Sequence, residues 1–152
     1  MSDTFRLTLA QLNATVGALE DNADRVRAAW QEAKLAGADM VAFPEMFITG
    51  YQLQDLVRKP AFAADVQRVL ERLAADCADG PAIGIGGPWP GPDKPFNAYF
   101  ILQGGKITAR VLKQHLPNYK VFDEKRYYHA GRSRSGRCAS GCRSARMAGS
   151  RM

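Results

Sequence analysis

Two charged residues fall where apolar strand faces should continue. Period-two alternation over residues 39–45 (DMVAFPE) puts Val41, Phe43 and Glu45 on one side. The same reading of residues 106–113 (KITARVLK) puts Ile107, Ala109, Val111 and Lys113 on one side. Each apolar face thus finishes in a charge at the carboxyl end of its strand, where open α/β sheets build their sites. A carboxylate and an ammonium desolvated together shift each other's pKa and can divide proton transfer and charge stabilisation between them. Strand ends commonly emerge into water, so alternation alone favours Glu45 and Lys113 as ordinary surface charges.

Other reactive side chains lack such placement. Cys77 ends a helical stripe of Phe62, Val66, Val69, Leu70 and Leu73, which makes it a small core hydrophobe. Cys138 and Cys142 lie among Arg, Ser and Gly, with no strand–turn context to aim a nucleophile, and their spacing has no second ligand pair for zinc. His115 and His129 have no partner spacing, so no metal site is expected. Residues 84–87 (GIGG) lack the Lys and Ser/Thr of a phosphate loop; they let a strand pack closely.

The elements that must position these residues follow from the same patterns. Residues 5–13 alternate as an opening strand, with Phe5, Leu7, Leu9 and Gln11 on one side. Residues 20–36 form an amphipathic helix, capped by Asp21 or Asn22, with Val26, Trp30 and Ala33 on one face and Gly37 as its stop. Residues 39–45 are a strand, and 46–59 a loop with a short helix. A second helix runs from Pro60 or Ala61 to about Ala78. Residues 81–88 are a Gly-rich strand, and residues 96–103 and 106–113 flank the two-residue hairpin signal Gly104, Gly105. The order β-α-β-α-β-β-β argues for a layered α/β fold.

The chain changes character after Gly131. Residues 132–152 hold six arginines, no acid and no Leu, Ile, Val, Phe, Tyr or Trp. The whole chain has 21 Lys and Arg against 15 Asp and Glu, so removing those six leaves 15 of each in residues 1–131. The formal charge of +6 belongs to the tail, which cannot bury enough apolar area to offset the entropy of ordering and is expected to be disordered. The neutral body argues against nucleic acid as a partner. No run spans a bilayer and no signal pattern opens the chain, so no membrane partner and a cytoplasmic location are expected.

The chain resembles the nitrilase superfamily of carbon–nitrogen hydrolases at LTLAQLNATVGALEDN, VAFPEMFITGYQLQDLVRKPAF and LKQHLPNYKVFDEKRYYHAG. GYQLQDL and LPNYKVFDEKRYY narrow the resemblance to the glutaminase domain of glutamine-dependent NAD+ synthetases. The resemblance implies a four-layer α-β-β-α sandwich, of which residues 1–131 would be the N-terminal part. It implies a Glu–Lys–Cys triad: Glu45 as general base, Lys113 as stabiliser of the substrate oxyanion, and a cysteine attacking the side-chain amide of glutamine to give a thioester. Tyr119 matches a residue of the glutamine pocket, and Glu124 a glutamate that supports the lysine. It also implies glutamine as substrate, a homo-oligomer in the intact family, no cofactor in this domain, and ATP in a separate synthetase domain.

The family cysteine follows the lysine in a segment like GVPICEDGW, and this sequence has no such segment. Codons permitted by the tail, read one base back, allow VRIGVPICEDGW with the cysteine across residues 144 and 145. The tail is therefore read as a frameshift near residue 131, and the chain as a truncated, inactive glutaminase domain. Two other functions remain on this reading: another amide or nitrile hydrolase of the superfamily, or an RNA- or phosphate-binding module using the Arg-rich tail.

Overall fold

The computed structural model describes residues 4–131. The basic tail with Cys138 and Cys142 lies outside the described residues, as does the boundary expected before it. The described chain forms β1 (Leu7–Leu9), α1 (Leu19–Leu35), β2 (Met40–Ala42), a 3₁₀ turn (Gln54–Arg58), α2 (Pro60–Asp76), β3 (Ala82–Trp89), β4 (Phe96–Gln103), β5 (Lys106–Leu112) and the short α3 (Glu124–Tyr127). One sheet runs in the order β1-β2-β3-β4-β5. The helical crossovers α1 and α2 make β1, β2 and β3 parallel, and tight connections make β4 and β5 antiparallel.

The two long helices cover one face of this sheet. Val26, Trp30 and Ala33 of α1 and Val66, Val69, Leu70 and Leu73 of α2 pack on Val41, Ile83, Ile85, Ala98, Phe100 and Leu102. The Trp30 indole is buried, and its Nε1 donates to the Pro81 carbonyl at 2.8 Å, so the ring joins the core without an unpaired donor. Cys77 ends the α2 stripe as a buried thiol of this core.

Neither long helix lies over the opposite sheet face. Leu9, Ala42, Gly84, Ile101 and Ala109 stand in register across all five strands on that side. Leu7, Leu9 and Val111 are 50%, 69% and 66% exposed there. The described residues thus supply one helical layer and one sheet layer of a mixed α/β fold.

Three local expectations change. Only Leu7–Leu9 of the expected strand 5–13 pairs, because β1 is a sheet edge whose one neighbour, β2, is itself three residues long. Neither Asp21 nor Asn22 caps α1, which starts at Leu19 after Ala18 with no side-chain cap. Asn22 is instead fully buried. Its Oδ1 accepts from Thr15 N, and its Nδ2 donates to Thr15 O and Ile48 O, tying two loops together. Finally, Ile107 does not share a face with Ala109 and Val111. The ladder pairs Ile101 with Ala109 but Leu102 with Ile107, so Thr108 is an extra residue and the alternation breaks at this β-bulge. The turn expected at Gly104 and Gly105 is present, with φ +57 and +81 as a tight hairpin requires.

Candidate active site

Glu45 reaches the site by leaving its strand. β2 ends at Ala42, and Phe43 still packs in the helical core, so Glu45 does not continue the Val41–Phe43 face as alternation predicts. The chain turns at residues 45–49, with Met46 at φ +55, and crosses the uncovered face of β3. Gly86 makes that crossing possible: a Cβ there would sit 2.2 Å from Met46 N and 2.8 Å from Glu45 Cα. Phe43 N and Ile48 N donate to the carbonyls of Gly84 and Gly86, which pins the turn at both ends.

Lys113 follows β5 directly and keeps the ladder going by one residue. Its N–H donates to Asn97 O at 2.8 Å, and its carbonyl accepts from Gly131 N at 2.7 Å. The backbone is therefore fixed on both sides. The ammonium spans two carboxylates, donating to Glu45 Oε1 at 2.8 Å and to Glu124 Oε1 at 3.0 Å. Burial pulls the Lys113 pKa down, but hydrogen bonds and attraction from Glu45 and Glu124 outweigh it and hold the group above its ordinary value. Lys113 is thus a committed cation, and one of its three N–H donors is left over from these two carboxylates.

Glu124 sits in the first turn of α3 and is 3% exposed. Its Oε1 accepts from Lys113 and from the Tyr51 hydroxyl at 2.8 Å; its Oε2 is buried with no hydrogen-bond partner among the described residues. Burial and the Glu124 hydrogen bond push the Tyr51 pKa up to about 12, so Tyr51 stays a neutral donor. Burial likewise raises the Tyr128 hydroxyl, behind Glu124. Met46, Leu53, Val57 and Tyr128 form a small apolar cluster supporting this end of the sheet.

The structure brings together Glu45, Lys113 and Glu124. Tyr119 lies apart: it is 63% exposed, and its described ring contact is with Phe122. Two members of the cluster carried no sequence signal of their own, Tyr51 and Asn97. Asn97 is buried on β4, and its Nδ2 donates to Glu45 Oε1 at 2.6 Å. Burial raises the Cys77 thiol pKa to about 11 on the helical side of the sheet, which leaves it protonated and inert at neutral pH. Among the described residues no group of three or more His, Cys, Asp or Glu is placed to hold a metal ion, and no helix is long and apolar enough to cross a membrane.

A base, a fixed cation and a supporting carboxylate at one sheet end can accept a proton and stabilise a developing oxyanion. Comparison with known proteins places the chain in a family. The sequence profile of the carbon–nitrogen hydrolase family matches residues 6–142. A glutamine-dependent NAD(+) synthetase of Rhodobacter capsulatus is 56% identical over 131 residues, covering 86% of this chain and 24% of that protein. One from Xylella fastidiosa is 38% identical over 129 residues, again with 24% of its length covered. The chain therefore spans about a quarter of the length of these relatives. The crystal structure of a glutamine-dependent NAD(+) synthetase from Cytophaga hutchinsonii superposes with a TM-score of 0.81 at 28% identity, over 87% of this chain and 23% of that one. An amidase from Nesterenkonia shares the fold, with a TM-score of 0.72 at 22% identity, over 84% of this chain and 48% of its own. With a profile match across most of its length, and with a carboxylate and an ammonium meeting at the end of its sheet, this chain belongs to the carbon–nitrogen hydrolase family.

Proposed function

We propose that the chain carries the base and the oxyanion-stabilising side of a glutamine amidohydrolase site. The observation that carries this reading is the Lys113 ammonium held between Glu45 and Glu124. In the reaction, Glu45 takes the proton of a cysteine thiol, and the thiolate attacks the carboxamide carbon of glutamine. The tetrahedral oxyanion forms against the free N–H of Lys113. Glu45 returns the proton to the departing nitrogen, ammonia leaves, and water hydrolyses the thioester. The ammonia would amidate deamido-NAD in an ATP-dependent domain, as the similarity to NAD(+) synthetases suggests. Tyr119, which matches a residue of the family's glutamine pocket, would contact the glutamine.

The nucleophile is the missing part. Cys77 lies under the sheet on the helical side and cannot reach the carboxamide. The reading of residues 132–152 as frameshifted supplies a thiol in the segment that follows Lys113. The test restores one base near codon 131 and assays ammonia release from glutamine, with Glu45→Gln and Lys113→Met as controls. Restored turnover lost in both variants supports the proposal. Turnover of other amides or nitriles but not glutamine would move the site to another branch of the family.

A further inference from the structure

The two carboxylates of the cluster are alike at one oxygen and unlike at the other. In each, Oε1 takes two donors: Lys113 and Asn97 at Glu45, Lys113 and Tyr51 at Glu124. Oε2 of Glu124 is sealed in the interior. The Glu45 side chain is 49% exposed, and its Oε2 takes no hydrogen bond from the described residues.

We propose that Asn97 is a positioning residue that selects which oxygen of Glu45 receives the proton. The proposal rests on the reading of Glu45 as the base. Asn97 and Lys113 face each other across the β4–β5 ladder, joined by the Lys113 N–H to Asn97 O bond of 2.8 Å. From these adjacent places both side chains converge on Glu45 Oε1, at 2.6 and 2.8 Å. Two donors occupy the lone pairs of that oxygen and leave those of Oε2 open on the uncovered side. Asn97 is 2% exposed, so its amide cannot turn away into solvent. The carboxylate is acceptor-only, which obliges the amide to present Nδ2 rather than Oδ1. A neutral donor suits the position: it fixes the carboxylate without adding a second cation that would compete with Lys113 for the oxyanion.

An NMR titration of the full-length chain tests this, following the Asn97 side-chain amide protons, the Glu45 carboxyl carbon and the Lys113 ammonium. One Asn97 amide proton should move together with the Glu45 carboxyl as pH falls. That movement should vanish in Glu45→Gln and persist in Lys113→Met, and in the frame-restored chain Asn97→Ala should displace the acid limb of the pH profile of ammonia release with KM for glutamine unchanged, a split that a merely structural amide would not give. Asn97 protons that stay fixed while Glu45 and Lys113 still respond to each other would overturn the proposal and leave the base reading standing. Glu45 and Lys113 titrating independently would overturn that reading and the proposal with it.

Discussion

Lys113 Nζ stands 2.8 Å from Glu45 Oε1, although 68 positions separate the two residues. Their strands are not neighbours: β3 and β4 lie between β2 and β5. At about 4.8 Å per strand, the ends of β2 and β5 would be about 14 Å apart. The gap closes because the turn carrying Glu45 leaves β2 and lies across β3 at Gly86, and because Lys113 reaches back over β4.

Gly86→Ala should therefore uncouple the pair. The added methyl would meet Met46 N at 2.2 Å, and backbone cannot yield as a side-chain tip can. A loss of about 1–3 kcal/mol in unfolding free energy is expected, as for overpacking elsewhere. Gly104→Ala is the control: its φ is +57 but nothing lies within 4 Å, so only backbone strain of about 1 kcal/mol is added. Urea unfolding of both variants makes the comparison, and equal losses would remove the special role of Gly86.

Glu124 and Tyr119 should separate in the same assay. Glu124→Ala leaves the Tyr51 hydroxyl without its acceptor and Lys113 with Glu45 alone in a partly buried site, which should cost about 1–3 kcal/mol. Tyr119→Ala removes an exposed ring and should stay within about 0.5 kcal/mol. A Glu124 variant as stable as the parent would mean the lysine does not depend on it.

Alkaline pH should loosen the cluster from the same groups. Tyr51 and Lys113 both have folded-state pKa values above their ordinary ones, so in alkaline solution the folded chain holds more protons than the unfolded chain. The stability they contribute is complete below pH 10.0 and falls as pH rises, with the Tyr51 share lost between 10.0 and about 12. Unfolding free energy measured across this window should slope downward, and Tyr51→Phe should flatten the slope. An unchanged slope in that variant would contradict a Tyr51 hydroxyl raised by burial and by Glu124.

Which parts of this site were legible in the sequence depended on where the chain stays regular. Lys113 was readable because β5 keeps its alternation from Ala109 onward, past the bulge at Thr108. Glu45 was singled out by an alternation that ends at Phe43. It arrives beside Lys113 through a turn and not along the strand face that alternation predicts. Glu124 came from family likeness alone, since nothing in the local pattern of DEKRYY buries its glutamate and only the fold does. Asn97 gave no signal, as a polar residue inside an otherwise ordinary strand, and Tyr51 lies within the GYQLQDL motif without being marked as a site residue by it. Their partners lie 52 and 73 positions away, beyond any local pattern. Asn22 looked like a helix cap because its burial depends on the loop at Ile48.

The chain as it stands should release no ammonia from glutamine. Cys77 is buried on the helical side with its thiol pKa near 11, and Cys138 and Cys142 have no sequence context that would aim them. Ammonia above background from purified protein, lost in Glu45→Gln, would show that one of these thiols serves the site after all.

The uncovered sheet face should make the chain self-associate. Leu7, Leu9 and Val111 expose half or more of their surface on the side that also carries Lys113, and exposed apolar residues on a sheet with open edges are an association hazard. Leu9 sits on the edge strand, and Val111 on β5 at the other edge, so charges at both would straddle the face. Leu9→Lys with Val111→Lys removes little buried contact and should change monomer stability by about 0.5 kcal/mol or less. Light scattering over a concentration series should show growing particles for the parent chain and a monomer for the double variant. If the parent stays monomeric at every concentration, the face is too small or too well solvated to drive contact, and the covering of the site would have to be sought elsewhere than in the apolar residues of this sheet.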